Sequence, residues 1–196
     1  MTDQELFEQQ KKLLTEAELI IQELALLRTI QKIGDGFVVG SVELGLMTWR
    51  SIDIEVVEKK LSRQSLIEII TAINNFPIPQ IEFTIIDNTI KRDPHIQNSL
   101  YLGIKYPSPS DNKIWTINLY FRDQSDSRSL ESTLELKNRL NDRNKLQILR
   151  IKSELAGNPK FGKEILSLDV YNAVLDNGVT NLKEFKDYLK TINKSL

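Results

Sequence analysis

The chain has 196 residues, of which 40% are hydrophobic and 27% charged, and its net charge is −1 at pH 7. This length suits one domain or two small ones, and the composition is typical of a globular protein with its own core. The near-zero charge argues against bulk attraction to nucleic acid or to a membrane, and no apolar run has the length that crosses a bilayer. The chain has no cysteine, which excludes disulfides and thiolate metal sites.

The N-terminal segment predicts a long amphipathic helix over residues 2–33. Thr2 and Glu5 have the spacing of a capping box, leucines and isoleucines then recur at steps of three and four, and Gly34 supplies a stop. A helix this long leaves open two shorter helices or a homodimer through this helix, but covering one side of a sheet is favoured. The acidic, polar start is unlike a signal peptide, and with the missing cysteines it predicts a cytoplasmic location.

Strand and helix patterns alternate over the next ninety or so residues. Phe37-Val38-Val39 reads as a short strand that leads into Gly40-Ser41, and a second strand follows around 52–56. A helix capped by Ser62 or Ser65 reaches about Asn75, and Pro77 and Pro79 end it. Further strands are predicted at about 81–87, 99–106 and 114–121, the last two as an antiparallel hairpin around the turn 106–112.

The composition turns polar around residues 123–127, which we take as a domain boundary. Beyond it, helices are predicted at about 130–155, 168–175 and 181–192. The sequence therefore predicts an α/β (α+β) domain over residues 1–125, followed by an α-helical domain over residues 126–196.

Two carboxylates on the second strand are the strongest candidates for chemistry. Asp53 and Glu55 are two residues apart, so in an extended strand both side chains point to the same face. Two acids on one face repel each other unless a positive charge lies between them, and carboxylates with phosphate oxygens commonly hold Mg²⁺. Gly40 would let the backbone approach phosphates closely, and Ser41 would offer them a hydroxyl and a backbone N–H.

The motif Val39-Gly40-Ser41, a spacer, and Ile52-Asp53-Ile54-Glu55-Val56 resembles the signature of the nucleotidyltransferase superfamily, the polymerase-beta-like fold. This resemblance extends from the first strand to Phe121. It implies a mixed sheet flanked by helices, and transfer of NMP from an NTP to a hydroxyl of a small molecule or protein. Asp53 and Glu55 would be the metal ligands, for Mg²⁺ or Mn²⁺, and Gly40 and Ser41 would bind the nucleotide.

The third carboxylate of that family pattern is replaced here. Relatives place an aspartate in the middle of the strand that corresponds to 114–121, and this chain has Asn118. Asparagine can coordinate through its carbonyl oxygen, but it brings no negative charge and cannot act as a base. Two hypotheses follow: a transferase in which Asn118 is the third site residue, or a catalytically degenerate relative that binds a nucleotide or a protein. Asn118 favours the second, and the retained pair of acids favours the first.

Positively charged side chains are candidates for phosphate binding. Arg50, just ahead of the acid-bearing strand, is the candidate next to the site, with Lys105 on a nearby strand as an alternative. Three arginines share one face of the predicted helix 130–155, where a solvated role is favoured over phosphate contact: Arg139, Arg143 and Arg150.

Three further residues have both a functional and a plain interpretation. His95, the only histidine, could act as a general base, but a surface role is favoured because no partner pattern accompanies it. Trp49 and Trp115 could stack on a base, although packing is the commoner use of tryptophan. Nucleic-acid polymerisation is disfavoured, since no basic groove pattern is present.

Overall fold

The computed structural model describes residues 1–78, 80–89, 98–124 and 128–196. Over these ranges the sheet has five strands, β1 (Asp35–Val39), β2 (Ser51–Glu58), β3 (Glu82–Asp87), β4 (Leu100–Pro107) and β5 (Ile114–Asp123). The helices are α1 (Asp3–Glu23), α2 (Leu26–Ile30), α3 (Gly40–Leu44), α4 (Arg63–Asn74), α5 (Arg128–Arg139), α6 (Asp142–Leu155), α7 (Ser167–Asn177) and α8 (Leu182–Thr191). None of the helices in these ranges is both long and apolar enough to span a bilayer.

The sheet is mixed, with strand order β1-β2-β5-β4-β3. β2 and β5 run parallel, and the other neighbouring pairs run antiparallel, including the predicted β4–β5 hairpin. The parallel register pairs Asp53 with Asn118, which places the two polar positions side by side on the central strands. The predicted fold class, a mixed sheet flanked by helices and followed by further helices, is confirmed.

Residues 2–33 form two helices, which is the alternative that the sequence leaves open, and not one continuous helix. The first helix begins with the predicted capping box of Thr2 and Glu5, but it ends where Ala25 adopts a left-handed φ of 47°. This break turns the short α2 so that Leu26 and Ile30 are fully buried in the core beneath the sheet.

The predicted helix 130–155 is also divided, into α5 and α6. The division lies at Asn141, whose side chain accepts a hydrogen bond from the backbone N–H of Asn144, while the Asn144 side chain accepts one from the N–H of Asn141. This reciprocal cap starts a new helix in a new direction. The helices predicted after residues 62 and 181 are confirmed, with Ser62 and Asn181 as their caps.

Two hydrophobic clusters form the interior. One lies between the sheet and helices α1, α2 and α4, and includes Ile54, Leu119 and Phe121. The other joins α6, α7 and α8, but it also takes in Leu44 and Leu46 from the segment after β1. The C-terminal helices therefore pack directly on α3 and on the residues that follow it, beside the sheet. The predicted boundary at 125/126 falls outside the described residues, so the division into domains stays a prediction.

Candidate functional site

A cleft of about 1040 Å³ opens over one face of the sheet. Its floor comes from alternate residues of the central strands, since side chains two apart in a strand share a face. Helices α3, α5 and α7 form its walls. The polar side chains that line it are Ser41, Thr48, Arg50, Ser51, Asp53, Asn88, Ser99, Tyr101, Thr116, Asn118, Tyr120, Arg122, Ser132, Thr133, Ser167 and Tyr171.

Asp53 is the one carboxylate among the described residues that line this cleft. It lies in β2 between Val39 of β1 and Asn118 of β5. Burial raises the pKa of Asp53 above its usual value, while the hydrogen bond from Asn118 and the charge of Lys152 oppose this shift. Burial therefore makes the ionised carboxylate of Asp53 unfavourable. A divalent cation or another positive group beside Asp53 would offset this cost.

Asn118 is held by hydrogen bonds on both sides of its amide. Its Nδ2 donates to Asp53 Oδ1 at 2.8 Å and to Ser51 Oγ at 3.2 Å. Its Oδ1 accepts from the Tyr101 hydroxyl at 2.7 Å. The residue that replaces the expected third carboxylate thus acts as a donor to Asp53.

Gly40 and Ser41 lie beside Asp53, as the motif predicts for a phosphate cradle. Gly40 has a φ of +64°, and a Cβ at this position would lie 3.4 Å from Asp53 Oδ2. Glycine is therefore favoured by the backbone conformation, and a Cβ here would be in van der Waals contact with the carboxylate. The Gly40 N–H donates to Thr133 Oγ1 of α5 at 3.4 Å, which ties the cradle to the C-terminal helices.

Lys152 of α6 is buried directly behind Ser41. Its Nζ donates to Ser41 Oγ at 2.8 Å, to the Leu46 carbonyl at 2.6 Å and to the Tyr171 hydroxyl at 3.3 Å. The side chain has no exposed surface. Burial lowers the pKa of Lys152 to about 7, and the charge of Asp53 opposes this shift. The Lys152 side-chain nitrogen therefore lies one hydroxyl away from the cleft.

Sequence analysis missed Lys152, although a signal for it exists. Ile148, Ile151 and Leu155 form the buried stripe of α6, and Lys152 falls on that stripe, four residues after Ile148 and three before Leu155. A lysine among core positions of a helix costs free energy unless its charge is satisfied by specific partners. Such a lysine is a better candidate than an arginine on a solvated face.

Glu55 shares a face of β2 with Asp53, as predicted, but the two carboxylates have different surroundings. Glu55 is completely buried, and its Oε2 accepts from the backbone N–H of Leu130 at 2.9 Å. Its Oε1 lies 3.9 Å from Arg122 Nε. The carboxylate of Glu55 thus accepts a hydrogen bond from a backbone N–H in the first turn of α5. Its role as a metal ligand stays a prediction.

The Arg50 guanidinium lines the cleft, but it is already engaged by acids. Its Nη2 lies 2.7 Å from Asp111 Oδ2 and 3.3 Å from Glu16 Oε2. Contact with a nucleotide would require Arg50 to give up part of this pairing, so its nucleotide-binding role also stays a prediction. Lys105 pairs with Glu82 on the surface.

The other residues singled out from the sequence lie away from Asp53 or are packed. Arg139 pairs with Asp176 and Arg150 with Asp3, both at the surface, and Arg143 is exposed, which agrees with the solvated interpretation. Trp115 is buried in the core. Trp49 lines the cleft, packs edge-on against Phe161, and has Lys152 Nζ 4.8 Å from its ring centre. His95 lies outside the described residues.

The residues of the cleft fit one divalent cation better than two. Mg²⁺ is usually held by one or two carboxylates together with substrate phosphates. Asp53 keeps Oδ2 on the side of Gly40, whereas Asn118 turns its NH₂ to Asp53 and Glu55 receives the Leu130 N–H. Within the described part of the chain, no cluster of three or more His, Cys, Asp or Glu residues could hold a metal ion.

No protein family model and no curated protein matches the sequence. A GTP pyrophosphokinase family protein from Streptococcus pneumoniae is similar in structure, with 14% identity, a TM-score of 0.39, and coverage of 82% of this chain and 95% of that one. CdnC of E. coli MS115-1, solved with ATP, has 13% identity, a TM-score of 0.43, and coverage of 97% of this chain and 65% of that one. Scores this low carry no weight for the activity of this chain.

Proposed function

We propose that the cleft binds an NTP together with one divalent cation, Mg²⁺ or Mn²⁺, and transfers its NMP group to a hydroxyl of a small molecule or a protein. The observation that carries this proposal is the corner formed by Gly40, Ser41 and Asp53 with the Lys152 ammonium behind it. It combines a close backbone approach, a hydroxyl, a carboxylate and a buried positive charge.

The cradle would hold the phosphates of the nucleotide. Gly40 leaves room beside Asp53 Oδ2, and the Ser41 hydroxyl faces the cleft while it accepts a hydrogen bond from Lys152. Because Lys152 is buried, its charge acts at low dielectric and is screened little by salt. The triphosphate would in turn stabilise the protonated form of Lys152.

Asp53 would hold the cation through its oxygen next to Gly40. When bound, such an ion neutralises charge on the phosphoryl oxygens and lowers the pKa of an attacking hydroxyl. In the transfer, the acceptor oxygen bonds to the α-phosphorus, the bond to pyrophosphate breaks, and the hydroxyl proton is released to solvent. No described carboxylate other than Asp53 lines the cleft, so the protein supplies positioning and charge more than a separate base.

A second candidate is a nucleotide-binding or protein-binding module without turnover. It is favoured by the hydrogen bond from Asn118 to Asp53, because this contact occupies part of the carboxylate and adds no negative charge for a second ion. A nucleotide-binding module would share the binding of the nucleotide with the transferase and differ from it in the release of pyrophosphate, whereas a protein-binding module would bind no nucleotide. The cytoplasmic location and a homodimer through α1 stay predictions.

The experiment that tests the proposal uses NTPs labelled at the α-phosphate, with Mg²⁺ or Mn²⁺. Water serves as the simplest acceptor and a panel of hydroxylated small molecules and proteins as the alternative. We expect the labelled NMP to appear, free or on an acceptor, with pyrophosphate, and we expect Asp53→Asn to abolish it. Asp187→Asn, on the exposed face of α8, is the matched control. Binding of nucleotide without pyrophosphate in every condition would select the second candidate.

A further inference from the structure

Tyr101 of β4 reaches the central strands because its neighbour Gly103 has no side chain. Gly103 is the register partner of Asn118 across the β4–β5 hairpin. A Cβ at Gly103 would lie 2.5 Å from the Tyr101 hydroxyl oxygen and 3.0 Å from the ring carbon that carries it. No real Cβ could occupy that position without moving the ring. The absence of a side chain at Gly103 therefore leaves space for the Tyr101 hydroxyl over the middle of the sheet.

The Tyr101 hydroxyl supports the orientation of the Asn118 amide that the Asp53 carboxylate requires. It donates to Asn118 Oδ1 at 2.7 Å, and this leaves the NH₂ group on the opposite side of the amide, 2.8 Å from Asp53 Oδ1. An ionised carboxylate can only accept, so the NH₂ group is the one end of the amide that suits it. Hydrogen bonds in such a chain strengthen one another.

We propose that Tyr101 is a positioning residue that holds Asn118 as a donor to Asp53, so that the pair offers a single carboxylate, that of Asp53, to a cation. The hydroxyl donates to the one atom of Asn118 that could coordinate a metal. The NH₂ group donates to Asp53 Oδ1 and brings no negative charge. The statement about the cation rests on the proposed function, whereas the statement about Tyr101 rests on the hydrogen bonds alone.

A substitution at position 118 would change the number of cations that this pair can bind. Asn118→Asp places a second carboxylate beside Asp53 in the same register of the sheet. Two carboxylates at this distance repel each other unless a cation is bound between them. The variant is therefore expected to bind an additional cation, while Tyr101 continues to donate to position 118.

Nitrogen-15 NMR of the protein without nucleotide or metal tests the role of Tyr101. In the unsubstituted protein, the two Asn118 side-chain amide protons should give separate, exchange-protected signals. Tyr101→Phe should shift them and speed their exchange with solvent at least several-fold. Tyr120→Phe, which removes a hydroxyl from the adjacent ring 5.5 Å away, should leave them unchanged. Backbone amide signals report whether each variant keeps the fold. Unaltered Asn118 signals in folded Tyr101→Phe would overturn the proposal.

The cation count is measured by electron paramagnetic resonance of Mn²⁺ with a non-hydrolysable NTP analogue. The expected ratio is one Mn²⁺ per protein-bound nucleotide for the unsubstituted chain and two for Asn118→Asp. A ratio of two in the unsubstituted chain, or of one in both proteins, would overturn the assignment of a single cation to the pair of Asp53 and Asn118. If no analogue binds, the proposed function fails, and the NMR experiment still decides the role of Tyr101.

Discussion

Lys152 Nζ lies 2.8 Å from Ser41 Oγ, although the two residues are 111 positions apart in the chain. The contact joins α6 in the C-terminal helices to the Gly40-Ser41 turn at the edge of the sheet. In the proposed function, those helices bring a buried positive charge to the back of the Gly40-Ser41 turn. Leu46 and Tyr171 complete the surroundings of the ammonium.

Lys152→Met should weaken nucleotide binding about tenfold or more, which corresponds to about 1.4 kcal/mol or more. Methionine keeps the length of the side chain and removes the charge. Isothermal titration with a non-hydrolysable NTP analogue measures the loss, and thermal unfolding confirms that the variant is folded. Lys145→Met, on the same helix but in the wall of a separate cavity, is the control and should bind like the unsubstituted chain. Equal affinities in all three proteins would remove Lys152 from the site.

Nucleotide affinity should fall as the pH rises above 7. Burial lowers the pKa of Lys152 to about 7, so its ammonium form is present below that pH and is lost above it. A bound triphosphate raises this pKa again, so binding takes up part of a proton over roughly pH 7 to 9. Titrations in buffers of different ionisation enthalpy measure this uptake. Lys152→Met should abolish the Lys152 part of it, and an unaltered uptake in that variant would refute the assignment.

Gly40→Ala should impair binding more than stability, and Gly45 provides the comparison. Both glycines have positive φ, +64° and +63°, so an alanine at either should cost about 1 kcal/mol of unfolding free energy. A Cβ at Gly40 would contact Asp53 Oδ2, whereas at Gly45 it would contact the side chain of Gln10. Denaturant unfolding should therefore give similar losses for the two variants, and nucleotide titration should separate them. Similar binding by both would show that the space beside Asp53 is unimportant.

Asp53→Asn should stabilise the protein at neutral pH while it abolishes cation-dependent binding. The folded-state pKa of Asp53 is raised by burial, so between its ordinary value of 3.8 and that raised value the folded state holds more protons than the unfolded state. Stability therefore falls as the pH rises through this window, and the cost persists above it. We expect a gain of about 1 kcal/mol at pH 7 that shrinks toward pH 4, measured by denaturant unfolding.

Asp187→Asn serves as the control, because the pKa of Asp187 is shifted in the opposite direction to that of Asp53. The hydrogen bond from Lys190 lowers the pKa of Asp187, so removing this charge should give no gain in stability at neutral pH. A gain of the same size in both variants would mean that it does not come from the buried position of Asp53.

Glu55→Ala should destabilise the protein by about 1 kcal/mol or more, because the partly buried Leu130 N–H would lose its acceptor. Glu55→Gln keeps a carbonyl oxygen at that point and should lose less. Thermal unfolding measures both effects, and Mn²⁺ titration in the presence of the analogue measures cation affinity. If Glu55→Gln lost cation affinity as completely as Asp53→Asn, then Glu55 would be a metal ligand after all.

Local patterns predicted much of this fold. Alternation with a period of two gave the strands and the face that Asp53 and Glu55 share, and side-chain caps such as Ser62 gave helix starts. The sequence leaves open two helices over residues 2–33, but it does not predict the position of the break at Ala25 or the break at Asn141, because an apolar stripe continues through both.

Long-range relationships in the site could not be read from the sequence. The spacing of Asp53 and Glu55 does not show that the start of α5 covers Glu55 and leaves Asp53 facing the cleft. The contact between Ser41 and Lys152 depends on how α6 packs, and no local pattern encodes that distance. The role of Tyr101 could not be predicted from the sequence, because its contact with Asn118 depends on the absence of a side chain at Gly103.

The most direct test of the account is the equilibrium binding of the four non-hydrolysable NTP analogues with Mg²⁺, measured by calorimetry for the unsubstituted chain, Asp53→Asn and Lys152→Met. We predict that at least one analogue binds the unsubstituted chain, that its affinity depends on Mg²⁺, and that both variants bind at least tenfold more weakly. Binding of no analogue, or equal binding by all three proteins, would contradict the claim that the corner of Gly40, Ser41 and Asp53 is a triphosphate site.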